Sequence, residues 1–182
     1  MTPNWFIGFP MQVEGFRIPP APARVRVFAL SDLHVTLGFL GTVQEAEARK
    51  AWELLDTFSC FRTVSGSFAG VVPLGNPRKP SALSAMIDVG REALSEMIAQ
   101  TKGPILAAAG APEDTRPPLP HMTVARIQRR ANAVERRKAL RWAEQIELGG
   151  ASFTSASVAL YTWSDDRQER LFRIVAEHDF GS

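Results

Sequence analysis

The sequence predicts an α+β fold, one domain over residues 1–182 made of two similar lobes. Three observations carry this. Short β-branched and aromatic runs alternate with stretches of helical period. The order of these elements repeats once along the chain. The pattern His-x-Thr occurs at the same place in each repeat, at His34-Val35-Thr36 and His121-Met122-Thr123. With 45% hydrophobic and 22% charged residues, the chain has the composition of a globular domain and can bury a core without covalent staples.

The elements come in order. Residues 5–9 (WFIGF) read as a strand, and the Pro-rich stretch 14–24 as a loop, because proline removes donors and restricts the residue before it. Residues 25–29 and 33–40 read as strands. Over 43–58 the period changes: Ala48, Ala51, Trp52 and Leu55 recur at i, i+3, i+4 and i+7, one face of a helix that Thr42 would cap. Strands at 67–74 and 82–89 flank a turn at 75–80. A helix at 91–101 places Leu94, Met97 and Ile98 together, 105–109 fits no single pattern, and 110–118 is loop. Residues 119–127 return to a strand. A second long helix, 131–147, carries Ala139, Trp142, Ala143 and Ile146 on one face, and strands at 153–162 and 170–177 close the chain.

His121 lies 87 residues after His34, and the same offset carries Val71 onto Val158 and Ile87 onto Ile174, in the later strands. Each half thus runs His-x-Thr strand, helix, two strands. Such a duplication predicts lobes related by a pseudo-twofold axis, with the two His-x-Thr strands facing each other across a cleft.

Residues i and i+2 of a strand share a face. His34 and Thr36 therefore point one way, and Val35 and Leu37 point into a core; His121 and Thr123 repeat this. Two imidazoles and two hydroxyls together suit phosphodiester chemistry. Imidazole titrates near neutrality, so one ring can act as base while its twin acts as acid. Threonine hydroxyls can donate to phosphate oxygens without adding charge. The imidazolium supplies both proton and positive charge, so the chemistry asks for no metal and no cofactor.

LHVTLGFLG (33–41) and PHMTVARI (120–127) resemble the two signature motifs of the 2H phosphoesterase superfamily, and within it the bacterial RNA 2′,3′-cyclic phosphodiesterases, or 2′-5′ RNA ligase-like proteins. WFIGFP (5–10), FTSASVALYTW (153–163) and RLFRIV (170–175) are similar to the first and closing strands of that family. The resemblance implies antiparallel sheets facing a central cleft with helices outside. It implies hydrolysis of RNA 2′,3′-cyclic phosphate ends to 2′-phosphates, and ATP-independent RNA joining in reverse. By motif, His34 would be the general acid, His121 the general base, and Thr36 and Thr123 the phosphate ligands. Arg126 matches a basic position of the second motif, although strand parity turns it away from His121.

The chain departs from the family in three places. The stretch between the first strand and His34 is short and Pro-rich where the family has a helix. Pro118-Leu119-Pro120 stands where an F-R-P sequence is usual, which leaves Arg116 as a substitute cation. SALSAMIDVG (81–90) replaces a Trp-containing strand. These departures open two other readings: a 2H phosphodiesterase acting on a small nucleoside cyclic phosphate or oligonucleotide, and a non-catalytic module that binds RNA ends.

Other features set the background. A basic run at 126–141 suits either an RNA backbone or a solvated helix face, and Arg78 and Lys79 are similar loop cations. Trp5, Phe6, Phe9 and Phe39 are candidates for base stacking; Trp52 and Trp142 read as core, and His178 as a surface or structural residue. Cys60 is the only cysteine, which excludes intramolecular disulfides and multi-cysteine metal sites. The net charge of +2 neither demands nor excludes a polyanion. No signal-peptide pattern and no transmembrane run of about 18–20 apolar residues is present. The expectation is a cytoplasmic monomer. Motifs for nucleoside triphosphate, dinucleotide, serine-hydrolase or zincin chemistry do not occur.

Overall fold

A computed structural model describes residues 3–180. Ten strands and three α-helices occur among them: β1 (Trp5–Pro10), β2 (Gln12–Glu14), β3 (Val25–Val27), β4 (His34–Gly41), α1 (Glu45–Glu53), β5 (Val64–Leu74), β6 (Ala82–Ile87), α2 (Arg91–Ala108), β7 (His121–Ile127), α3 (Ala133–Glu144), β8 (Ser152–Ser155), β9 (Ser157–Trp163) and β10 (Phe172–Asp179). The strands pair antiparallel in the order β10-β9-β1-β4-β7-β6-β5-β8-β2, with β3 also on β7.

The sheet has a weak seam at its centre. Strands β4 and β7 share one ladder pair, Val35 with Met122. On one side of the seam lie β1, β9 and β10; on the other lie β6, β5, β8 and β2. The chain therefore crosses over. The two strands after His34 build the half that holds His121, and the last two strands build the half that holds His34. This crossing explains why the expected strand 153–162 is broken at Ala156. Strand β8 pairs with β5 and β2, whereas β9 pairs with β1 and β10.

The core lies on the face that carries Val35, Leu37, Met122 and Val124, all nearly inaccessible to solvent. Burying each such side chain stabilises the fold by about 1.5–3 kcal/mol. Helix α2 packs on β4 and α1, and α3 packs on β5. Ala48, Ala51 and Leu55 are buried as their spacing requires, as are Ala139, Trp142, Ala143 and Ile146. Trp52 is half-buried at the edge of the core.

Several boundaries differ from expectation. Thr42 does not cap α1: the chain turns at Gly41, whose φ is 76°, and the helix begins further on, with Glu45 and Glu47 in its first turn. Helix α2 does not stop at residue 101. It runs through Pro104 to Ala108, because Ile105 and Leu106 continue its buried face. Helix α3 starts at Ala133, fixed by a capping box. The Asn132 side chain accepts from the Glu135 N–H at 2.9 Å, and Glu135 accepts from the Asn132 N–H at 2.8 Å. The Pro-rich stretch before His34 forms no α-helix; it carries β2, β3 and a short 3-10 turn at Leu30–Asp32.

Candidate active site

The two histidines are built alike. In each, Nδ1 faces the backbone carbonyl two residues earlier: Asp32 O at 2.7 Å from His34, and Leu119 O at 2.6 Å from His121. A carbonyl only accepts, so Nδ1 carries the proton, and Nε2 of each neutral ring is left with a lone pair. Strand parity puts both rings on the face opposite Val35 and Met122. In an antiparallel pair neighbours step in opposite directions, so His34 comes level with Thr123 and Thr36 with His121. The seam thus collects all four residues of the His-x-Thr pair.

The surroundings of the two rings differ. His34 is buried, at 9% exposure, and its ring stacks on Phe6 with centroids 4.6 Å apart. Phe172 meets it edge-on at 5.4 Å. The buried Asp32 carboxylate accepts from the Leu171 and Phe172 N–H groups at 2.8 and 3.1 Å, which ties the start of β10 to the turn that orients His34. Gly8 lies opposite Thr36, and a Cβ there would come within 2.8 Å of the Val35 carbonyl and 3.5 Å of the His34 ring. Burial pushes the His34 pKa down to about 4, against the raising effect of the Asp32 carbonyl; the positive charges of His121 and Arg126 push it the same way as burial. Thr123 shares a hydrogen bond of 3.1 Å with the fully buried Ser84 hydroxyl.

Both histidine strands carry a bulge at the same offset. Leu37 is skipped in the pairing of β4 with β1, and Val124 in the pairing of β7 with β6. Each extra residue reverses the parity of the residues beyond it. Phe39 and Arg126, five residues after their histidines, therefore turn onto the histidine face, and both are exposed. This corrects the parity expectation for Arg126: it lines a cavity of about 360 Å³ with His34 and Thr36. A second cavity of about 500 Å³ is lined by His121, Leu119, Ile98, Lys102 and Arg116. The two cavities meet at Thr36 and Phe39, which line both.

Not every candidate belongs here. Arg116 lines the His121 cavity, but its guanidinium is held by both Asp114 oxygens at 2.8 and 2.9 Å, and that pairing holds the Asp114 carboxyl well below the usual carboxylate range. Lys102 leans on the same carboxylate at 3.6 Å. Arg136 donates to the carbonyls of Pro80, Gln128 and Arg129 and is structural. Arg129, Arg130, Arg137, Lys138 and Arg141 are exposed outside both cavities, as are Arg78 and Lys79. Trp5 and Phe9 are core, and His178 is exposed on β10 away from the seam. Sequence reasoning missed Asp32, Ser84, Trp163, Arg26 and Arg167. Only Asp32, two residues before His34, had a local signal. No helix among the described residues is long and apolar enough to cross a membrane.

The antiparallel sheet with helices packed outside it is the fold that the resemblance to the 2H phosphoesterases implies. Solved structures bear out that assignment along the whole chain. The crystal structure of E. coli LigT complexed with 3′-AMP superposes with a TM-score of 0.65 over 98% of each chain, at 15% identity. A crystal structure described as a phosphoesterase matches with a TM-score of 0.65 over 100% of each chain, at 15% identity. TT0787 of Thermus thermophilus matches with a TM-score of 0.58 over 97% of each chain, also at 15% identity. No protein-family model and no curated protein matches the sequence. At this identity the likeness establishes the fold.

Proposed function

We propose that the protein is a metal-independent phosphodiesterase that opens the 2′,3′-cyclic phosphate of an RNA end to a 2′-phosphate. The observation that carries this reading is the matched pair of histidines, each with Nδ1 on a carbonyl and Nε2 free, level with the two threonines. His121 Nε2 takes a proton from water as its oxygen bonds to phosphorus. The P–O3′ bond breaks, and His34 Nε2 delivers a proton to O3′. Thr36 and Thr123 donate to the non-bridging oxygens, with Ser84 orienting Thr123, and Arg126 attracts the anionic substrate. With an RNA 5′-hydroxyl in place of water, the same groups would open the cyclic phosphate onto that oxygen, forming a 2′-5′ phosphodiester as the P–O3′ bond breaks and O3′ takes the proton, without ATP. A nucleotide substrate is in keeping with the 3′-AMP bound by E. coli LigT, which has this fold.

The acid role of His34 needs a proton that the free site does not hold, since its pKa there lies near 4. The negative charge of the bound phosphate supplies the opposite sign beside the ring and raises that pKa, so His34 is protonated as substrate binds. Each proton-transfer role is worth on the order of 10²–10⁴ in rate.

The test is protein treated with EDTA and incubated with RNA ending in a 2′,3′-cyclic phosphate, with 2′- and 3′-phosphate products resolved. Conversion to 2′-phosphate is expected. A 3′-phosphate product, or activity lost on chelation and restored by metal, contradicts the mechanism. Binding with no conversion of any cyclic phosphate would leave an RNA-end-binding module.

A further inference from the structure

We propose that the cavity beside His34 binds a second phosphoryl group of the substrate, on the 5′ side of the ribose that carries the cyclic phosphate, through Arg26, Arg126 and Arg167. The proposal rests on the reaction assigned above and names its substrate more closely: a nucleotide with a 5′-phosphate, rather than a nucleoside cyclic phosphate.

The first observation is a pairing that the sheet itself does not favour. Arg26 of β3 lies directly opposite Arg126 of β7. Like charges in that position repel. Arg167, from the turn between β9 and β10, adds a third guanidinium to the same cavity, 4.4 Å over the Trp163 ring. Arg26 also donates to the carbonyls of Arg167 and Gln168, which holds that turn against β3. No carboxylate lines this cavity, and among the described residues none of the three arginines has an ion-pair partner. Three guanidiniums kept together without a counter-ion make a site for an anion.

The second observation is the contrast across the cleft. In the His121 cavity the two cations, Lys102 and Arg116, share one carboxylate, Asp114, which offsets one of their two charges. The positive charge is larger on the His34 side, where three guanidiniums have no carboxylate beside them. A nucleoside 2′,3′-cyclic phosphate has a single negative charge, which the His-x-Thr pair receives. The next anion on an RNA end is the phosphate at the 5′ position of the same ribose. Seating it on the arginines lays the nucleotide on the His34 side. That places the leaving O3′ at His34 and leaves the His121 side for water, so one subsite fixes which histidine acts as acid and which as base.

The experiment compares kcat/KM for adenosine 2′,3′-cyclic phosphate, its 5′-phosphorylated form, and the dinucleotide ApA ending in the cyclic phosphate. It uses the wild type, Arg167→Gln and Arg26→Gln. The wild type is expected to prefer a substrate with the second phosphoryl group by about tenfold or more, the worth of one charge-assisted hydrogen bond. Both variants should bring that ratio toward one, and added salt should shrink it. Arg167→Gln leaves the carbonyls that Arg26 holds in place, so it reads the charge apart from the shape of the turn. The dinucleotide and the 5′-monoester separate a chain phosphate from a terminal one. Equal kcat/KM for all three substrates, or an undiminished ratio in Arg167→Gln, overturns the proposal. If none of the three is turned over, it is the reaction that fails. The subsite is then decided by calorimetry with adenosine 2′,5′-bisphosphate and adenosine 2′-phosphate. Tenfold tighter binding of the bisphosphate supports it, and equal binding overturns it.

Discussion

His34 is the residue where folding and the proposed chemistry meet. Its ring is stacked on Phe6, edged by Phe172 and held by the Asp32 carbonyl. That enclosure fixes the ring but disfavours its charged form, which puts its pKa near 4, below the ordinary value of 6.5. The consequence for stability has a definite sign. Between those two values the unfolded chain binds a proton that the folded one refuses, so stability falls as pH drops through the window. The loss should reach about 3 kcal/mol from this group. Denaturant titrations of wild type and His34→Gln between pH 7 and 4 check it. The wild type is expected to lose that much more than the variant, and parallel pH dependences would remove the cause. That each His-x-Thr pair would share one face was legible in the sequence because strand parity is a local rule. Arg26 and Arg167 were not, because nothing local to either says that it ends beside Arg126.

At the scale of elements, the informative feature is the pair of bulges. Parity counted along an ideal strand sends Phe39 and Arg126 to the core face. The skipped residues Leu37 and Val124 send both to the histidine face instead. A sequence shows the residues but not the register against β1 and β6, which is where the bulge is defined. The equal position of the two bulges, 87 residues apart, repeats the spacing of the histidines. Helix limits were lost for other reasons. Pro104 interrupts the helical pattern, yet the buried Ile105 and Leu106 carry α2 past it. The capping box of α3 has the Asn132–Glu135 spacing and could have been read. Asn132→Ala is expected to lower stability by about 1 kcal/mol, with the melting temperature as readout and no change in the pH dependence of activity.

For the whole molecule, the alternation of strands and amphipathic helices was enough to give the fold class, and most of the core faces came from periodicity. The crossing of the two halves was not legible, because it is a matter of which strands pair at long range. That crossing matters for the proposed function. The half that holds β4 is completed by β9 and β10 from the far end of the chain, the half that holds β7 by β5 and β6 from before it, and β4 and β7 pair only through Val35 and Met122. The site therefore exists only when both halves are folded together, and its two imidazoles should act as a unit. The most direct measurement is the single-turnover rate of cyclic-phosphate opening for wild type, His34→Ala, His121→Ala and the double variant. Each single variant should lose about 10²–10⁴-fold, and the double variant little more than the worse of the two. Full activity in either single variant would contradict a shared acid–base pair.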